Sequence, residues 1–146
     1  MQVEVKLDST CTEPKLIVVA PSMTEEVAEL VRRLSEPFQS VLVGYRDDHL
    51  ELLEPSSLVR LYAGGGKVFA VTDKGEYALR LRLYELEERL SGGPLVRISH
   101  SEIINLKKAE SFDLSLAGTI RVTLSDGTAA YVSRRYVSKI KRVLGI

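Results

Sequence analysis

The sequence holds one cysteine, no tryptophan, two histidines and no excess of either charge, with 20 Lys/Arg against 20 Asp/Glu in 146 residues. Cys11 alone closes no internal disulfide, so the fold has no covalent staple and suits a reducing compartment. His49 and His100, with one distant cysteine, make no zinc-ligand cluster. No apolar run approaches the roughly 20 residues that span a bilayer, and the polar start Met1-Gln2-Val3-Glu4 lacks the layout of a signal peptide. A cytoplasmic protein is expected. No nucleophile, base and orienting group can be named together, so neither catalysis, a cofactor nor a small-molecule substrate is expected.

What is present is a 45% hydrophobic chain, enough for one good core and a small accessory unit. Its neutrality conceals a gradient: residues 1–40 carry −3, residues 41–96 carry −2 and residues 97–146 carry +5. Affinity for nucleic acid comes largely from Lys and Arg releasing counterions from phosphates, so a local basic face counts for more than the overall balance.

The alternation Val3-Glu4-Val5-Lys6-Leu7 and the apolar run Lys15-Leu16-Ile17-Val18-Val19-Ala20 predict two strands. Ser22 or Thr24 can then cap a helix whose first turn is acidic and whose Val27, Leu30, Val31 and Leu34 recur at helical spacing, ending at Ser35 before Pro37. This ββα extension, residues 1–38, is too small to be stable by itself, and packing on the rest of the chain or on a second copy would solve that.

From residue 39 the texture changes to short strands between turn signals. A hairpin is predicted at Val41–Tyr45 and Leu50–Leu53 around Asp47-Asp48, and further strands at Leu58–Tyr62, Val68–Thr72 and Tyr77–Arg80. Leu83, Leu86 and Leu90 define a helix ended by Gly92-Gly93-Pro94. Strands return at Val96–Ile98, Ile103–Asn105, Thr119–Leu124 and Ala129–Val132, and a helix over Tyr136–Leu144 closes the chain with Val137, Ile140 and Leu144 inward. The fold class is therefore α+β, mainly β, with antiparallel sheets and short helices.

Two segments stand out chemically. Val96-Arg97-Ile98-Ser99-His100-Ser101-Glu102-Ile103-Ile104-Asn105 and Val132-Ser133-Arg134-Arg135-Tyr136-Val137 place cationic, hydroxyl and amide groups beside apolar anchors, as a β-rich module presenting hydrogen-bonding groups to DNA would. From about Val41 onward these segments, the strand order and the Leu-Tyr-Glu-Leu-Glu-Glu-Arg-Leu helix resemble the LytTR family of bacterial DNA-binding domains. The resemblance implies stacked antiparallel sheets, residues 39–146 as the DNA-binding domain, and loops that enter successive major grooves of double-stranded DNA without a recognition helix. The short acidic extension resembles that of stand-alone regulators carrying no receiver domain. Such regulators are often encoded beside a small membrane protein, which the resemblance implies as a partner.

Carried over residue by residue, the resemblance points to three places. Gly64-Gly65-Gly66-Lys67-Val68 occupies a base-contacting loop, with Val68 where the family often has a larger polar or aromatic residue and Lys67 able to reach a phosphate. His100, where many members have Arg or Asn, can donate to guanine or phosphate. Arg134 and Arg135 match the family's Arg pair, with Arg135 the expected base reader through guanine N7 and O6. Ser99, Ser101, Tyr136 and Lys139 are the expected phosphate contacts. Asn105 also matches, although a strand-end Asn more often satisfies local backbone than DNA.

Other classes compete less well. Gly64-Gly65-Gly66-Lys67 looks like the end of a phosphate-binding loop, yet Val68 replaces the required Ser/Thr and a strand follows, so a hairpin turn is the simpler reading. A protein-interaction module using the basic C-terminal face on an acidic partner is the remaining alternative. Homodimerisation through residues 1–38 is expected, because paired domains double the phosphate contacts.

Overall fold

The computed structural model describes residues 1–35 and 41–146, and the chain divides into two units, Met1–Pro37 and Phe38–Ile146. In the first, one helix forms, α1 (Glu25–Ser35), with Glu25 and Glu26 in its first turn and Arg32 and Arg33 in its last, as the macrodipole favours. The Val27 N–H donates to Thr24 Oγ1 at 3.3 Å, so Thr24 is the cap. The two expected strands are absent: Val3–Leu7 and Lys15–Ala20 enter no ladder, and α1 is the one helix or strand among the unit's described residues. Two short segments cannot hold a hairpin without a third strand or a covering face, and no described residue before Ser35 is buried.

The second unit is built on a seven-stranded antiparallel sheet of order β2-β1-β5-β4-β3-β7-β6, from β1 (Leu42–Arg46), β2 (His49–Leu53), β3 (Leu58–Gly64), β4 (Lys67–Thr72), β5 (Gly75–Leu79), β6 (Leu95–Ser99) and β7 (Glu102–Asn105). Two-residue turns set its registers. Asp47-Asp48 joins Arg46 to His49, with Asp47 at φ 54°, and Gly65-Gly66 joins Gly64 to Lys67 with φ of 59° and 75°, the left-handed pair that matches strand twist. A second sheet of order β10-β9-β8 comprises β8 (Ala109–Asp113), β9 (Ile120–Leu124) and β10 (Ala129–Val132). Sequence alone misses β8, an edge strand with a bulge between Ala109 and Ser111 and no buried residue to give it a period of two.

Alternation along the central strands sends side chains into two cores. Leu58, Leu61, Tyr77 and Ile103 meet Leu83, Leu86 and Leu90 of α2 (Leu83–Arg89) on one face. Val59, Ile98 and Ile104 meet Ile120, Val122, Leu124, Val132 and Ile140 on the other, so the small sheet and α3 (Arg134–Leu144) cover that face. Helix α3 begins two residues earlier than periodicity indicates, which puts Arg134 and Arg135 in its first turn.

Asn105 belongs to this framework. It is 1% exposed, its Nδ2 donates to the Leu58 carbonyl at 2.8 Å, and its Oδ1 accepts the Lys107 N–H at 2.9 Å. The expectation that Asn105 contacts DNA is therefore corrected: it closes a gap between β7 and the start of β3, which a groove cannot reach. Asn105→Ala is expected to cost about 1–3 kcal/mol in denaturant unfolding, by leaving a buried carbonyl unpaired. Leu61→Ala, which empties the first core at a residue with no exposure, is expected to cost about 2–5 kcal/mol in the same assay.

Candidate nucleic-acid interface

Strand pairing brings the separate sequence segments to one end of the second unit. Because β3 lies beside β7, the Gly65-Gly66 turn neighbours the Ser99–Ser101 turn, and the Ala63 N–H donates to the Ser101 carbonyl at 2.8 Å. The two turn centres are separated by two strand spacings, roughly 10 Å. The Ser133 N–H donates to the Ile98 carbonyl at 2.9 Å, which sets the first turn of α3 against the same end of β6. Thr119 Oγ1 donates to the Val132 carbonyl at 2.6 Å, drawing in the β8–β9 loop, where the Ser115 hydroxyl and N–H hold the Asp113 carboxyl below its ordinary pKa.

The candidate side chains differ in how free they are. Lys67 and His100 are exposed at their turn tips, and Arg135 is exposed and pairs with no described residue. Arg134 is also exposed but lies over the β8–β9 loop: a Cβ at Gly118, whose φ is 75°, would stand 3.0 Å from its guanidinium. Ser99 Oγ accepts the Ser101 N–H at 3.2 Å, so Ser99 is spent on the turn while Ser101 stays exposed. Tyr136 is half-buried against the second core. Lys139 pairs with Glu87 at 3.7 Å, an exposed contact worth little. Val68 is 8% exposed and fills the first core, so the expectation that it faces DNA is corrected. A period-two strand starting after Gly65-Gly66 turns Lys67 out and Val68 in.

Sequence reasoning passed over the residue that organises this end. Arg97 is 7% exposed; its Nε donates to the Ser99 carbonyl at 2.8 Å, its Nη2 to the His100 carbonyl at 2.6 Å, and its Nη1 lies 3.4 Å from Glu87 Oε1. The readable signal was parity: Arg97 shares a face with Leu95, a position otherwise apolar.

Charge completes the arrangement. Arg134 and Arg135 stand where the helix dipole disfavours cations, in a first turn with no acid, at a cost of about 0.3–1 kcal/mol each. The nearby acids are matched internally, Glu102 by Arg60 at 2.7 Å and Glu87 by Arg97 and Lys139. The end therefore presents uncompensated cations, hydroxyl and imidazole groups to anything that approaches it. Among the described residues, no cluster of His, Cys, Asp or Glu suits a metal ion, and no helix is long and apolar enough to cross a membrane.

Residues 48–145 match the model of the LytTr DNA-binding domain. Proteins named as HTH-type transcriptional regulators in Staphylococcus aureus strains NCTC 8325 and MW2 are each 33% identical over 147 residues, covering 100% of this chain and 99% of theirs. A LytTr DNA-binding domain from Bacillus cereus superposes with a TM-score of 0.70 over 73% of this chain and 98% of its own, at 21% identity, so the fold is shared. In this chain the described helices are separated by strands, and no two are joined by a short turn as a helix-turn-helix would require. With its residues 48–145 matched by the family model and relatives aligned along its whole length, the chain belongs to the LytTr DNA-binding domain family.

Proposed function

We propose that this protein is a transcription regulator that reads double-stranded DNA sequence-specifically, by inserting the Ser99–Ser101 turn and the first turn of α3 into the major groove. The observation that carries the reading is the convergence of Lys67, His100, Ser101, Arg134 and Arg135 at one end of the fold, with neighbouring acids paired elsewhere. Arg135 is the base reader: its guanidinium is free to pair bidentately with guanine, whereas Arg134 braces the β8–β9 loop and meets a phosphate from there. Lys67 and Lys139 serve the backbone, which sets register and affinity but carries no sequence. The mode of action is binding alone, with no chemical step and no cofactor.

The reading extends to a homodimer through residues 1–38. Supporting it are the absence of any buried residue before Ser35 and the exposed Val3, Val5, Leu7, Leu16, Ile17 and Val19, which no disulfide or metal offsets. A unit below about 40 residues without such staples ordinarily needs a second copy. A small membrane protein as a further partner rests on the family resemblance alone.

With about four phosphates neutralised per protomer, log affinity should fall with log salt at a slope near −3.6. Arg135→Ala should cost about 1–3 kcal/mol on the preferred duplex and little on a scrambled one, as read by fluorescence anisotropy. Equal losses on both would remove its role as reader. Lys139→Ala should weaken both alike. Deleting residues 1–38 should give a monomer in sedimentation and lower the affinity for a duplex with two sites; an unchanged dimer would contradict the assignment of that segment.

A further inference from the structure

Four consecutive carbonyls run through the β6–β7 turn, and each has a donor inside the protein. Ile98 accepts from the Ser133 N–H at 2.9 Å and Ser101 from the Ala63 N–H at 2.8 Å, while Ser99 and His100 both accept from Arg97, at 2.8 and 2.6 Å. The Arg97 guanidinium is spent inward: it is 7% exposed, and its remaining edge is met by Glu87. Glu87 in turn reaches Lys139 of α3, so one carboxylate of α2 stands between the turn and the helix that carries Arg135.

A surface turn with this many internal bonds is costly to order unless its direction matters. Peptide planes in a free turn rock, and a side chain at its tip sweeps a cone wider than a base edge tolerates. Clamping two successive carbonyls with one planar fork fixes both planes together. A lysine cannot do this, because its ammonium is a single point donor without the fixed fork. Resting on the DNA-reading function above, we propose that Arg97 is the positioning residue of this end: it touches no DNA, and through the Ser99 and His100 carbonyls it sets the direction in which His100 and Ser101 meet the bases. Glu87 holds the guanidinium in place and ties its position to α3.

Two measurements test this, one of them without DNA. In the free full-length protein, the Arg97 Nε–H should give a sharp, slowly exchanging NMR signal, and a fast-exchanging one would overturn the clamp whatever the protein binds. For binding, Arg97→Lys and Glu87→Gln are compared with the native chain by anisotropy on duplex from its own upstream region and on a scrambled duplex, across a salt series. Arg97→Lys should keep the affinity for scrambled DNA and the salt slope, and lose roughly tenfold of the preference for the upstream duplex. The loss should shrink when His100→Ala is already present, since the two changes then share the His100 contact and only that of Ser101 remains to be lost. Glu87→Gln should shift the preference in the same direction by less, and serves if Arg97→Lys fails to fold. A parallel loss on both duplexes with a salt slope shallower by about 0.9 would make Arg97 a phosphate contact and overturn the proposal. So would additivity with His100→Ala. A native chain that does not discriminate the duplexes at all would sink the functional reading, while the NMR result still decides the clamp.

Discussion

The covering of β3, β7 and β6 on both faces, by α2 on one and by the small sheet and α3 on the other, is the constraint on which the rest of the structure depends. Val59, Ile98 and Ile104 must point to the small sheet while Leu58, Leu61 and Ile103 point to α2, so the central strands are apolar on both faces. Burial on both faces leaves no freedom to slip: a shift of one residue would exchange the two cores and bring Arg97 into a layer without its partners. Fixed register is what delivers the Gly65-Gly66 turn, the Ser99–Ser101 turn and the start of α3 to one end. An interface made of turns is workable on such a base, because the turns inherit the rigidity of the strands that feed them.

The two families of polar residue in this unit have different duties. Asn105, Arg97 and Glu102 are buried or half-buried, and their polar groups are met by Arg60 or by the backbone. Lys67, His100, Ser101 and Arg135 are exposed. Burying the first group without partners would be expensive, so each is tied by hydrogen bonds within the fold. The second group lies idle in the free protein, and cations at the first turn of α3 oppose its dipole. Residues that cost stability where they stand, next to a framework that keeps them there, are the pattern of a binding surface.

Much of the fold was legible because its signals are local. Gly65-Gly66 and Asp47-Asp48 specify two-residue turns, and Leu83, Leu86 and Leu90 specify a helix, without reference to anything distant. Val3–Leu7 and Lys15–Ala20 carry equally good strand patterns and form no ladder, since a strand exists only where another edge receives it. β8 failed in the opposite sense, being a strand held by its neighbour β9 with little pattern of its own. At the candidate site, the exposure of Lys67, His100, Arg134 and Arg135 was readable from their types. Val68 and Asn105 were misassigned because facing direction and long-range partners, such as the Leu58 carbonyl 47 positions away, are not written in a motif. Arg97 was passed over for the same reason.

The central claim is that one end of the β framework meets DNA through turns. The most direct measurement is amide and side-chain chemical-shift mapping during titration of the protein with duplex from its own upstream region. The account predicts perturbations confined to Gly65–Lys67, Ser99–Ser101, Arg134–Arg135 and Lys139. Shifts concentrated instead on the β2 edge at His49–Leu53, or along the outer length of α3 at Lys141 and Arg142, would contradict it.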